Sequence, residues 1–159
     1  MRSPVAAYIA LGANLGDPGA ALIQAMDDMA TISGIRLINR SSLYQTAPVE
    51  SSGPDYVNAV VEIQTVLSAP DLLAQMQQLE QAAGRERTYL NAPRTLDIDI
   101  LTYGDASVNS QALVIPHPRM NVRAFVLVPL AEIAPHIVTE AQLRAVQSQL
   151  IERLTGGKL

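Results

Sequence analysis

The sequence predicts an α+β fold, an antiparallel sheet with helices packed on it in a split βαβ order, and three observations carry that prediction. Apolar periodicity runs strand, helix, strand, strand, helix, strand along the chain. At 159 residues, 48% of them hydrophobic, the chain suits one domain that can bury a core unaided, so residues 1–159 are expected to form a single domain. No repeat, low-complexity segment or linker interrupts it. Helices are expected on one face of the sheet, which leaves the other face, or its loops, for a site.

Each element has a local reason. "VAAYIALG" (5–12) is a short apolar run ended by glycine, a buried strand. Asp17-Pro18 reads as an N-cap with proline at the first helical position. Leu22, Ile23, Met26, Met29 and Ala30 follow at helical spacing, with Gly34 past the end. "IRLINRSSLYQTAP" (35–48) predicts a second strand and "YVNAVVEIQTVL" (56–67) a third, separated by a loop rich in Pro, Ser and Gly. Ser68 can cap a second helix with Leu72, Leu73, Met76, Leu79 and Ala83 as its buried stripe and Gly84 at its end. A strand near 96–103, a hairpin piece around Ser107 and Val108, and a short helix near 122–131 come next. Thr139 and Gln142 resemble a capping box opening a last helix, with Leu143, Val146, Leu150 and Leu154 on one face.

Composition excludes several function classes. A net charge of -4 argues against a broad nucleic-acid footprint. The absence of cysteine rules out disulfides and thiolate metal sites and is compatible with a reducing cytosol. The first apolar run stops at Gly12, too short to span a membrane, so a cytoplasmic protein without membrane or nucleic-acid partners is expected. Against the acidic background, Arg85, Arg87, Arg94, Arg119 and Arg123 concentrate in the middle of the chain, which suggests a small anionic ligand.

The stretch "APRTLDIDILTYG" (92–104) sits among these arginines. A strand sends alternate side chains to opposite faces, so Leu96, Ile98 and Ile100 face a core while Asp97 and Asp99 share the other side, roughly 6.5–7 Å apart. Two such carboxylates are hard oxygen ligands of the kind Mg²⁺ uses together with substrate phosphates, or else they are a solvated outer face. The arginines either grip phosphate oxygens with their donor forks or pair with nearby acids. "IPHPRMNVRAF" places His117, Arg119 and Arg123 together, with His117 open to a structural or a catalytic role. "GANLGD" (12–17) lacks both the P-loop and the dinucleotide pattern, so its glycines serve the turn. No Gly-x-Ser-x-Gly elbow occurs.

In order, "AYIALGANLGD", "SSLYQTAP", "DYVNAVVEIQT", "LEQAAGRER", "APRTLDIDILTYG" and "IPHPRMNVRAFVLVPLAEIAP" resemble the 6-hydroxymethyl-7,8-dihydropterin pyrophosphokinase family of folate biosynthesis. The resemblance covers residues 6 to about 136. It implies a ferredoxin-like fold with a three-layer arrangement and transfer of pyrophosphate from MgATP, the co-substrate, to the pterin hydroxymethyl oxygen, releasing AMP. Asp97 and Asp99 would hold two Mg²⁺ ions, and Arg85 and Arg94 would act on the triphosphate. Arg87, Ile100, His117 and Arg123 match further nucleotide contacts, as do Gln77 and Glu80 on the second helix. Thr46, Ala47 and Val49 match the loop edge that meets the pterin, Asn58 its amide partner, and Tyr56 and Phe125 the aromatic pair around it. The alternative for Phe125 is a core aromatic, but a flat heterocycle is well served by two aromatic walls and one amide. The chain departs from the family pattern at Ala13, Ala47 and Ala92, and in a loop 84–93 about one residue shorter than in some relatives.

The enzyme is expected to act as a monomer. A different class of reading is a non-catalytic small-anion sensing module built on the same fold, but it has no use for paired carboxylates beside its ligand. An ordinary kinase would yield ADP instead of AMP.

Overall fold

The computed structural model describes residues 3–14, 16–47, 55–83 and 96–154. Its elements are β1 (Val5–Ala13), α1 (Pro18–Ala30), β2 (Ile35–Arg40), β3 (Tyr44–Thr46), β4 (Tyr56–Thr65), α2 (Ala69–Ala83) and β5 (Asp97–Tyr103), followed by a hairpin of β6 (Val108–Asn109) and β7 (Val114–Ile115). Then come α3 (Ala124–Ile133), α4 (Glu140–Ala145) and β8 (Glu152–Arg153). The main sheet is antiparallel in the order β5-β1-β4-β3-β8, with β2 also on β4. This is the ferredoxin-like order, with the first strand of each half side by side at the centre.

The local signals act as read. Asp17 Oδ1 accepts from the Ala20 N–H at 3.2 Å, and Ser68 Oγ from the Asp71 N–H at 3.2 Å, so both long helices start at side-chain caps. Their stripes, with Leu22, Met26, Met29, Leu72 and Met76 fully buried, pack on the face formed by Ala7, Ile9, Leu11, Val57, Ala59, Val61 and Ile63.

Helices occupy both faces, not one. Tyr8 and Ala10 of β1, Val60 of β4 and Leu101 form a second core with Leu127 and Leu130 of α3. The reason lies in the central strands, which are apolar on both sides and lose area to water unless both are covered. Leu101 joins this core through a bulge: Ile9 pairs with Ile100 but Tyr8 with Thr102, leaving Leu101 as the extra residue. Tyr103 then returns to the first core.

Two further expectations need correction. The strand expected over 35–48 is divided, because residues 41–43 face only residues 59–60 between the flanking pairs Arg40↔Val61 and Tyr44↔Asn58. Ser41 fills the mismatch: its N–H donates to Val60 O and its Oγ accepts from Val60 N–H, each at 2.9 Å. The last helix ends at Ala145. Its capping box forms as expected, with Thr139 Oγ1 accepting from Gln142 N–H and Gln142 Oε1 from Thr139 N–H. Beyond a turn, residues 152–153 instead cover the outer edge of β3, where pairing satisfies backbone groups that a helix would leave bare. Leu150 is left 85% exposed.

Candidate active site

The second face of the sheet carries a grid of side chains set by strand register. Gly12 pairs with Asn58 on one side and Asp97 on the other, and in the next row Ala10 pairs with Val60 and Asp99. α3 packs against Ala10 and Val60 of the second row. Over the Gly12 row it leaves a cavity of about 810 Å³. Gly12, Asn58, Asp97 and Asp99 make the floor, Thr46, Ala47, Tyr56 and Phe125 line its walls, and Arg119 and Arg123 bring positive charge.

Gly12 is therefore not a turn residue. β1 continues through it to Ala13, and a Cβ built there would lie 3.0 Å from Asn58 Oδ1. Its missing side chain keeps the floor flat between an amide and a carboxylate. Asn58 is 4% exposed, and its Nδ2 donates to Thr46 Oγ1 at 2.9 Å. The diagonal contact between β3 and β4 fixes the carboxamide, turning its oxygen over Gly12 as an acceptor.

On the β5 side, His117 Nε2 lies 3.9 Å from Asp99 Oδ1, and His117 Nδ1 accepts from the Arg119 N–H at 3.2 Å. Burial lowers the His117 pKa below the usual imidazole range; Asp99 opposes this, while Arg123 and Arg119 add to it. The Arg123 guanidinium carbon stands 5.2 Å from the centre of the Phe125 ring, a cation–π contact that gathers charge and aromatic surface in one wall.

Among the described residues no group of three or more His, Asp or Glu converges on one point. Asp97 and Asp99 are still a donor set that fits Mg²⁺, which takes one or two carboxylates and completes its shell with phosphate oxygens and water.

The structure brings Thr46, Ala47, Tyr56, Asn58, Asp97, Asp99, Arg123 and Phe125 to one cavity, with His117 against Asp99. It sets others apart. The Ile100 side chain belongs to the first core, facing away from the cavity. Gln77 and Glu80 lie on α2, and Glu80 Oε2 accepts from the Ile98 N–H at 2.7 Å, a link between α2 and β5. Val49, Arg85, Arg87 and Arg94 lie outside the described residues. Gly12 and Gln149 line the cavity without having been singled out, and Arg119, noted in the sequence only as one of the clustered arginines, lines it too. For Gly12 a signal existed, since glycine within a strand marks a close backbone approach.

Fold and cavity together define a ferredoxin-like domain with an open cavity on the second face of its sheet. The chain belongs to the 7,8-dihydro-6-hydroxymethylpterin-pyrophosphokinase family, whose profile matches residues 8–135. It is 45% identical over 133 residues to the 2-amino-4-hydroxy-6-hydroxymethyldihydropteridine pyrophosphokinase of Methylorubrum extorquens, covering 83% of this chain and 84% of that protein. The enzyme of that name from Haemophilus influenzae is 44% identical over 135 residues, 84% of each chain. The crystal structure of wild-type Plasmodium falciparum HPPK-DHPS superimposes with a TM-score of 0.66 at 15% identity, a likeness of fold. The match covers 92% of this chain and 41% of that longer one. Among the described residues no helix is long and apolar enough to cross a membrane.

Proposed function

We propose that the protein transfers the pyrophosphoryl group of ATP to the hydroxymethyl oxygen of 6-hydroxymethyl-7,8-dihydropterin, giving the pterin diphosphate and AMP for folate biosynthesis. The observation that carries this reading is the row Asn58–Gly12–Asp97: one flat floor offers an amide to a heterocycle at one end and a carboxylate at the other. Family membership supports the same substrates.

Within this reading Tyr56 and Phe125 flank the pterin, and Asn58 Oδ1 accepts from its N–H donors over the space that Gly12 leaves. Asp97 and Asp99 would hold two Mg²⁺ ions, which when bound neutralise phosphate charge and activate the attacking hydroxyl. Arg123 and His117 contact the nucleotide, with Gln77, Glu80, Arg87 and Ile100 completing its site. Arg85 and Arg94 stabilise charge on the triphosphate as the bond to AMP breaks. Thr46, Ala47 and Val49 form the pterin's edge. The chain works as one domain and as a monomer in the cytoplasm.

Product analysis tests the reading. After incubation with MgATP and the pterin, equal amounts of AMP and pterin diphosphate are expected. ADP would indicate an ordinary kinase, and unchanged ATP with retained anion binding would indicate a non-catalytic sensor.

A further inference from the structure

The N-terminus of α3 lacks a cap of its own. Arg123 occupies the N-cap position with φ -125° and ψ 116° and makes no side-chain capping bond. The first N–H groups of a helix have no intrahelical acceptor, and Ala124, at 1% exposure, has little access to water. The acceptor comes from 25 residues further along the chain: Gln149 Oε1 takes the Ala124 N–H at 2.8 Å. The same carboxamide uses its other end, Nε2 donating to Val122 O at 2.8 Å. One side chain thus holds the backbone on both sides of Arg123.

Arg123, which it brackets, and Phe125, which follows the clamped Ala124, belong to the proposed site. Arg123 and Phe125 both line the cavity and stack on each other. N-cap positions favour Ser, Thr, Asp or Asn because those side chains cap their own helix. With an acceptor for the first helical N–H supplied from outside, this turn is held although its N-cap position carries an arginine, whose guanidinium serves the cavity. The turn bearing Gln149 is itself anchored: Val146 is buried in the second core, and the Gln149 N–H donates to Val146 O at 3.0 Å. This turn lies beyond residue 135, where the family match stops.

We propose that Gln149 is a positioning residue, which sets Arg123 and Phe125 against the pterin and nucleotide by clamping the backbone at Val122 and Ala124. The inference rests on the pyrophosphokinase reading and adds the C-terminal turn to its site.

A double-mutant cycle tests it. Pterin affinity is measured by calorimetry, with a non-hydrolysable ATP analogue present, for wild type, Gln149→Ala, Phe125→Ala and the double variant, alongside urea unfolding of each. Gln149→Ala should weaken pterin binding about three- to tenfold, and the double variant should bind no worse than Phe125→Ala alone, since both changes remove one arrangement. Gln149→Glu keeps the acceptor for Ala124 and loses the donor to Val122, so it should recover part of the affinity; it also serves if the alanine variant fails to fold. Fully additive losses, or an unchanged pterin affinity in a folded Gln149 variant, would overturn the proposal while leaving the function intact. Failure of the wild-type protein to bind pterin would overturn the function and this inference with it.

Discussion

Asn58 Nδ2 donates to Thr46 Oγ1 at 2.9 Å, and this single bond decides which end of a buried carboxamide faces the cavity. The amide nitrogen is used inside the protein, so the oxygen is what a ligand meets. On the proposed reading that oxygen would accept from the N–H donors along a pterin's edge.

Asn58→Leu should therefore weaken pterin binding roughly tenfold to a hundredfold, the equivalent of about 1–3 kcal/mol for an unpaired buried polar group, and leave nucleotide affinity nearly unchanged. Thr46→Val should have a smaller effect in the same direction, because the carboxamide remains but loses its lock. Calorimetric titration with pterin and with an ATP analogue separates the two ligands. An equal loss for both would remove Asn58 from the pterin end of the site.

Gly12→Ala is predicted to act through the same amide. The new methyl would sit 3.0 Å from Asn58 Oδ1, closer than side-chain carbons normally approach, and the carboxamide is held by Thr46 against swinging away. Pterin affinity should fall at least about tenfold, a change of roughly 1.4 kcal/mol. Circular dichroism should stay unchanged, since alanine fits the backbone of a strand. Wild-type affinity in this variant would mean that the floor is not where the ring lies.

Asp97→Ala and Asp99→Ala are each expected to nearly abolish turnover without unfolding the protein. Both carboxylates point away from the first core, and the Asp99 side chain is 50% exposed. Relief of like-charge repulsion on one strand face should leave Asp99→Ala at least as stable as the parent in urea. Near-normal activity of either variant at saturating Mg²⁺ would contradict the metal assignment.

Acid stability should depend on Glu132, which ties α3 to the segment before β3. Its carboxylate accepts from the Ser42 N–H at 2.9 Å, the Ser42 hydroxyl at 2.7 Å and the Tyr44 hydroxyl at 2.8 Å, and pairs with Arg153 at 3.2 Å. Burial works to raise its pKa, but the bonds from Ser42 and Tyr44 and the charge of Arg153 outweigh it and hold the pKa below the ordinary 4.5. A carboxylate with a depressed folded-state pKa contributes stability that is present above its unfolded value and is lost as pH falls through the folded one. Glu132→Gln should then cost roughly 1–3 kcal/mol at pH 7, with the difference from wild type shrinking below pH 4.5. Urea titrations at several pH values measure this. A pH-independent difference would show that packing, not ionisation, sets the contribution of Glu132.

By itself the sequence determined the elements whose causes are local. Asp17 and Ser68 cap helices within their own first turns, and the 3.6-residue stripes choose the faces of α1 and α2. The period-2 pattern of "LDIDI" puts Asp97 and Asp99 on one side of β5, and the ordered motifs carried the family and most of the cavity residues. Only the tertiary structure decided what covers the second face, where the strand expected over 35–48 divides, and how the C-terminal residues return to the edge of β3. It also decided that Gly12 lies between Asn58 and Asp97, that Thr46 turns the Asn58 amide, and that Gln149 caps α3. The physical reason is range. Periodicity records which side of an element avoids water, but a hydrogen bond between residues 124 and 149, or the ones joining Ser42 to Glu132, depends on packed layers and leaves no repeating pattern in the chain.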